Sequence, residues 1–187
     1  MNYKVFTPPY NYDNSSYKIF TEEYNGVMPI NVFLGGTIDN GNSVDWQTQL
    51  IEALDNEKTA HPLCIYNPRR ADWTSSEDHA EIDKQIKWEL SHLERADLIV
   101  MNILGNSKSP ISLMELGLFA RTGKLIVFCN PNFYRYDNVR IVCRVYNIPL
   151  YNTNDILVIK NKVLERANED ADIIYSGSVY GSPYYQQ

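Results

Sequence analysis

The run Leu98-Ile99-Val100-Met101-Asn102-Ile103-Leu104, the segment Ser109-Pro110-Ile111-Ser112-Leu113-Met114-Glu115-Leu116-Gly117-Leu118-Phe119-Ala120 and the run Leu125-Ile126-Val127-Phe128-Cys129 together decide the fold. A nearly unbroken apolar run suits a strand covered on both faces, and the middle segment has the length and spacing of a helix. A strand, a helix and a second strand in that order make a parallel crossover unit. The same alternation extends in both directions. Ile30 to Leu34 reads as a strand broken at Gly35-Gly36, followed by a helix from about Val44 to Asn56 with Trp46, Leu50, Ile51 and Leu54 on its apolar face. Leu63 to Tyr66 reads as a strand that stops before Pro68, and a helix from about Asp78 to Arg95 follows a long polar loop. Beyond Cys129 the pattern predicts a short helix near Val139 to Tyr146, a short strand at Leu150-Tyr151 and a last helix from Asn154 to about Asn168. The expected architecture is α/β: a doubly wound parallel sheet of about five strands with helices on both faces, of the Rossmann or flavodoxin type.

The 187 residues fit one α/β domain over residues 28–170, with an extended Tyr- and Asn-rich arm at residues 1–27 and a flexible Tyr-, Ser- and Gly-rich tail at residues 171–187. Hydrophobic residues make up 44% and charged residues 21%, as in ordinary globular proteins. A net charge of −6 gives no electrostatic reason to bind a nucleic-acid polymer, while small ligands stay open. No apolar run of about 18 residues is present, so neither a membrane span nor a secretion signal is expected. The three cysteines, Cys64, Cys129 and Cys143, are odd in number and lack CxxC spacing, which favours buried free thiols and a cytoplasmic setting.

Two carboxylates stand out. With Ile111 as origin, helical spacing puts Leu118 about 20° to one side, and Glu115 about 40° and Phe119 about 80° to the other, so Glu115 turns inward with the apolar stripe. In the preceding helix, Ile82, Ile86, Leu90 and Leu93 define a stripe that Glu89 borders, about 20° from Ile82. A buried carboxylate costs several kcal/mol, roughly, unless it is paired or has a task. Two of them near the carboxyl ends of parallel strands suit glycosidic chemistry, one attacking or stabilising the anomeric carbon and the other exchanging a proton with the leaving group. A solvated position at the edge of a helical stripe is the bland alternative for each.

Other candidates carry less information. Gly35-Gly36-Thr37 follows a strand and could bring backbone amides close to a sugar or phosphate, or could simply be a turn; it has neither dinucleotide nor P-loop spacing. Asn67-Pro68-Arg69-Arg70-Ala71-Asp72-Trp73 offers amide, guanidinium and indole groups at a strand end, or a solvated loop with one anchoring Trp. His61, His79 and His92 lack metal-ligand spacing, and Ser112 and the cysteines have no adjacent base motif. Neither a metal nor an organic cofactor is expected.

Over roughly Asn31 to Ile148 these segments resemble the nucleoside 2-deoxyribosyltransferase family, with Met114-Glu115-Leu116-Gly117, Gly123-Lys124 and the following strand as the most specific part. The resemblance implies that Glu115 is the nucleophile and carries a covalent deoxyribosyl intermediate, and that Glu89 protonates the base, as Glu where the best-known members have Asp. It also implies that Asn138 reaches the sugar in a neighbouring subunit's site, hence a homo-oligomer. The well-studied members carry Asp six residues before the nucleophile, where this chain has Ser109, so the sequence looks like the divergent branch. The substrate-binding candidates are Gly35, Gly36, Thr37, Trp46, Asn67, Arg69, Trp73, Ser109 and Asn138. The expected activity is transfer of a 2-deoxyribosyl group from a nucleoside or nucleotide to a free base. The alternatives are hydrolysis by water, for which Arg69 or Arg70 would favour a 5′-phosphate, and ligand binding without catalysis.

Overall fold

A computed structural model describes residues 3–8, 22–55, 57–70 and 79–175. Six parallel strands form one sheet: β1 (Tyr3–Phe6), β2 (Ile30–Gly36), β3 (Leu63–Tyr66), β4 (Leu98–Ile103), β5 (Leu125–Cys129) and β6 (Leu150–Tyr151), in the order β1-β3-β2-β4-β5-β6. The strands alternate with α1 (Trp46–Leu54), α2 (His79–Arg95), α3 (Pro110–Phe119), α4 (Tyr136–Val145) and α5 (Ile156–Tyr175). The doubly wound parallel architecture is therefore as the sequence pattern predicts. The sheet has one strand more than the five anticipated, because Tyr3–Phe6 of the expected arm pairs in register with Leu63–Tyr66. Its four residues are too few to show a period, and only β3 gives them an edge to join. Residues 9–21 of that arm, and the tail beyond Tyr175, lie outside the described residues.

Every residue of β4 and β5 is buried, as a strand flanked by helices on both faces requires. Their side chains alternate between two cores. Val32, Leu34, Leu98, Val100 and Phe128 meet Trp46 and Leu50 of α1 and Ile159 and Val163 of α5. Phe33, Tyr66, Ile99, Met101 and Val127 meet Trp88 of α2, Leu116 and Phe119 of α3 and Val139 of α4. At about 1.5–3 kcal/mol per fully buried large side chain, these two layers are the dominant favourable term in the fold. Asp45 caps α1 by accepting the Thr48 amide at 3.0 Å. At the other end of the sheet, Asp97 accepts the Asn31 backbone and side-chain amides, both at 2.8 Å, and so ties the start of β4 to the start of β2.

The two helices that carry the acids are rotated relative to their aliphatic stripes. Ile111 and Leu118 are 55% and 58% exposed, whereas α3 buries Ser112, Glu115, Leu116 and Phe119. On α2 the aliphatic residues Ile82, Ile86 and Leu90 are exposed, and the inner face is made of Gln85, Trp88, His92 and Leu93. Glu115 is inward as expected, but not in the company expected. Aromatic and polar groups fill the inner face here: Trp88 stacks on His92 with ring centroids 4.1 Å apart, and Tyr66 lies 4.5 Å from His92. The aliphatic side chains are left exposed, Ile82, Ile86 and Ile111 along the cleft and Leu90 and Leu118 outside it.

From β2 the chain passes to β3 on one side, whereas β4 lies on the other, so the connections diverge at β2 and leave a crevice above the carboxyl ends of β2 and β4. Gly36 sits there with φ +125, and a Cβ on it would lie 2.7 Å from Asn102 N and nearer still to Asn102 O. Gly35 differs, since an added Cβ would meet Phe33 and Val100 at ordinary contact distances of 3.7 Å. Gly36→Ala is accordingly expected to lower stability by roughly 2–4 kcal/mol or to prevent folding, and Gly35→Ala to change it by less than about 1 kcal/mol. Chemical unfolding of the two variants beside wild type checks the contrast, and equal losses would contradict it.

Candidate active site

The crevice is a cleft of about 450 Å³ whose walls come from three places. Gly35, Gly36, Asp39 and Asn40 contribute from the end of β2 and the turn that follows; Pro68, Arg70, Gln85, Ile86 and Glu89 contribute from the loop after β3 and from α2; Ser109, Ile111, Ser112 and Glu115 contribute from the start of α3. The pleat of β2 ends in two residues without side chains, so the backbone itself lines the site there. Three of these lining residues, Asp39, Asn40 and Ser109, are non-glycine residues with positive φ of 51°, 52° and 41°. Such conformations cost of order 1–3 kcal/mol each and survive where surrounding contacts over-determine them.

At Ser109 those contacts are hydroxyl bonds. Ser107 Oγ donates to Asp39 Oδ1 at 2.7 Å and accepts from Ser109 N at 3.0 Å. Ser109 Oγ lies 2.8 Å from Ser107 Oγ and 2.7 Å from Thr37 Oγ1, which in turn accepts the Leu104 amide at 3.0 Å. Because the single Ser107 hydrogen goes to the carboxylate, Ser109 donates to Ser107 and Thr37 donates to Ser109. This chain of hydroxyls holds the entry to α3 against the end of β2, and with it the position of Glu115 six residues later.

Glu115 is 6% exposed, and among the described residues no side chain hydrogen-bonds its carboxyl group. Burial, and secondarily the charge of Glu89, push its pKa up to about 8. Glu89 is also raised by burial, but a hydrogen bond from Gln85 and the positive charge of Arg70 oppose that rise. The two acids thus face one cleft from adjacent helices, sense each other electrostatically, and occupy different environments. Burial resists ionisation of both, and the Gln85 amide and the Arg70 charge offset it at Glu89.

The other sequence candidates divide. Gly35, Gly36 and Ser109 line the cleft, and Thr37 backs it through its bond to Ser109. Trp46 is buried beneath, its indole N–H donating to Thr37 O at 2.9 Å, so it supports the loop and does not line the cavity. Asn67 is buried and accepts the Arg69 amide at 3.0 Å in a local turn. Arg69 turns away from the cleft: its guanidinium donates to Gly41 O at 2.9 Å and Ser43 O at 2.7 Å, and lies 3.6 Å from Asp45. The cationic residue that reaches the cleft is its neighbour Arg70. Trp73 lies outside the described residues. Asn138 lines a different cavity of about 290 Å³, between α3 and α4, with Leu116, Arg135 and Val142. Residues that sequence reading left unassigned include Gln85, Asp39, Asn40 and Ser107; for Gln85 the i, i+4 spacing to Glu89 is the signal that could have found it.

Elsewhere, burial pushes the Cys129 and Cys143 thiols up to about 12 and about 11, so neither is a nucleophile near neutral pH. Among the described residues no cluster of His, Cys, Asp and Glu is placed to hold a metal ion, and no helix is long and apolar enough to cross a membrane.

No curated protein matches the chain. Among solved structures, one described as a crystal structure of a conserved protein from Enterococcus faecalis V583 is similar in fold, with a TM-score of 0.50 and 13% sequence identity, over 72% of this chain and 99% of that one. A family model described as nucleoside 2-deoxyribosyltransferase like matches residues 29–133, from the first residues before β2 through the loop after β5. That span contains both acids and every described wall of the cleft, and it covers more than half of the sequence: the chain belongs to the nucleoside 2-deoxyribosyltransferase-like family.

Proposed function

We propose that the protein transfers a 2-deoxyribosyl group between nucleobases through a covalent intermediate on Glu115. The observation that carries this reading is the pair of electrostatically coupled acids in one cleft at the divergence of the strand connections. In the first half-reaction a Glu115 carboxylate oxygen attacks C1′ as the C1′–N bond breaks, and the departing base nitrogen takes the bond's electron pair and a proton from Glu89. In the second, an acceptor base nitrogen attacks C1′ from the opposite face, its proton passes to Glu89, and Glu115 leaves as a carboxylate. Two inversions give net retention.

The chemistry needs one proton on the pair and needs it on Glu89. Burial raises both acids, so the pair retains a proton near neutral pH, and the reactive form is the one in which Glu89 carries it and Glu115 is ionised. Above about pH 8 the proton is lost and with it the acid; at low pH both groups are protonated and the nucleophile is lost. Resolution of the intermediate by water in place of a base would make the same site an N-glycosidase, and Arg70 on the cleft wall is the observation that favours a 5′-phosphorylated substrate for that reading. In a purely binding protein, by contrast, a protonated acid without a protein hydrogen bond would be a cost with no return.

The aliphatic residues of α2 and α3 that lie outside the cleft, Leu90 and Leu118 at 40% and 58% exposure, support a homo-oligomer in which a neighbour covers them. Asn138 lies outside its own chain's cleft and is free to contribute to a partner's. Buried free thiols fit a cytoplasmic setting.

Incubation with a deoxynucleoside panel, with and without a free acceptor base, should show base exchange by chromatography; release without exchange would favour the hydrolase, and neither would sink the enzymatic reading. Glu115→Ala should reduce turnover by at least about 10³-fold and abolish the adduct seen by mass spectrometry. Stability should change in the opposite sense. The folded pKa of Glu115 lies above its unfolded value, so its contribution is fully present below about pH 4.5 and is lost as pH rises through about 8. Glu115→Gln, which cannot ionise, should therefore match wild type near pH 4 and be roughly 2–4 kcal/mol more stable near pH 8. A stability difference that does not grow over this range would contradict the buried, protonated acid. Sedimentation should show an assembly that Leu90→Lys with Leu118→Lys dissociates, and an unchanged mass would remove these faces from the interface.

A further inference from the structure

Gln85 makes a set of contacts that stability alone does not account for. It is 9% exposed and lines the cleft one helical turn before Glu89. Its Nε2 donates to Pro68 O at 3.1 Å and to Glu89 Oε1 at 2.6 Å. Its own Oε1 is buried and has no hydrogen-bond partner among the described residues. Both groups that meet the amide nitrogen are acceptors, so the amide cannot turn over without setting its oxygen against a carbonyl and a carboxylate. It stays as it is although an unpartnered buried oxygen costs about 1–3 kcal/mol. A leucine of similar volume would fill the space without that cost.

We infer that Gln85 is a positioning residue for Glu89: its amide occupies Oε1, and so leaves Oε2 as the atom that exchanges a proton with the base. This rests on the reading of Glu89 as the acid and base of the reaction. Among the described residues nothing donates to Oε2, and the remaining charged groups of the cleft are Arg70 from the loop after β3, Asp39 from the turn after β2 and Glu115 from α3. When Glu89 is protonated the hydrogen sits on Oε2, and Oε1, now the carbonyl oxygen, still accepts from Gln85. The bond therefore persists in both protonation states, and the carboxyl plane does not rotate as the group changes from acid to base. The Pro68 carbonyl performs the corresponding service for Gln85, because its second bond fixes the amide plane from outside α2. The loop after β3 is in this way connected to the proton-transfer atom through one side chain.

The test separates the inference from the reaction it serves. In a Glu115→Gln background, which removes the neighbouring titration, carboxyl carbon NMR of labelled glutamate follows Glu89 through the one signal that a further Glu89→Gln substitution removes. Gln85→Leu should raise its midpoint by about one pH unit, because the donor that favours the ionised form is gone. An unmoved midpoint in the folded variant overturns the inference. Gln85→Met, of similar length and shape, provides the same reading should Gln85→Leu not fold. In the otherwise unaltered protein, Gln85→Leu should lower kcat about ten- to a hundredfold with KM nearly unchanged, and shift the limb of the pH–rate profile that belongs to Glu89. A fall in the yield of folded protein with an unshifted profile would mean a merely structural role and would also overturn it. Absence of turnover in the unaltered protein would end the proposed reaction, while the titration would still decide what Gln85 does to Glu89.

Discussion

The contact between Gly36 and Asn102 is the constraint on which the rest of the molecule depends. The last pair of the β2–β4 ladder brings the two backbones so close that no Cβ fits, and Thr37 N continues the pairing by donating to Asn102 O at 2.9 Å. On one side of this contact the connections turn toward α1, and on the other toward α3. The cleft opens between them, and the Thr37 hydroxyl reaches Ser109 from the same point. Asn102 is itself held from the opposite face, where Asn154, just before α5, donates to its Oδ1 at 2.6 Å. The site is thus attached to both helical layers through one strand pair.

That frame brings two acids together at a cost. Glu89 and Glu115 are each buried enough to resist ionisation, yet among the described residues only Glu89 has a hydrogen-bond donor and a nearby cation. Two like groups are made unlike by their surroundings, which is how a pair of carboxyls acquires separate roles. The strained backbone at Asp39, Asn40 and Ser109 belongs to the same balance, since positive φ at three lining residues is sustained by the hydroxyl chain and by the bonds Arg69 makes to the loop at Gly41 and Ser43. Arg69 and Arg70 show how finely this is set. Adjacent in sequence and alike in chemistry, one is spent on the loop and the other faces the cleft.

Much of the fold is legible in the sequence because a doubly wound sheet writes its signature locally. Apolar runs separated by helical segments can close in few ways, and β2 through β6 form at the five segments anticipated. β1 escaped because Tyr-Lys-Val-Phe is no more strand-like than the residues around it. The helix faces were misjudged for a related reason. Counting aliphatic residues points Ile82, Ile86, Ile111 and Leu118 inward, whereas the interior of α2 is Trp88, His92 and Gln85, residues that a hydropathy count treats as neutral or polar.

The sequence by itself determined that this chain forms parallel strands with helical crossovers, that two glutamates lie near the inner faces of consecutive helices, and that Gly35-Gly36 ends the first of the central strands. These are properties of periodicity and of residue types, and they act over a few turns of chain. Tertiary structure alone decided that Glu89 and Glu115 share one cleft, that Gln85 and Arg70 attend one acid and not the other, that Arg69 and Trp46 support the loop, and that Asn138 faces away. Those outcomes depend on distances between elements far apart in the chain, where burial and a neighbouring charge act through space.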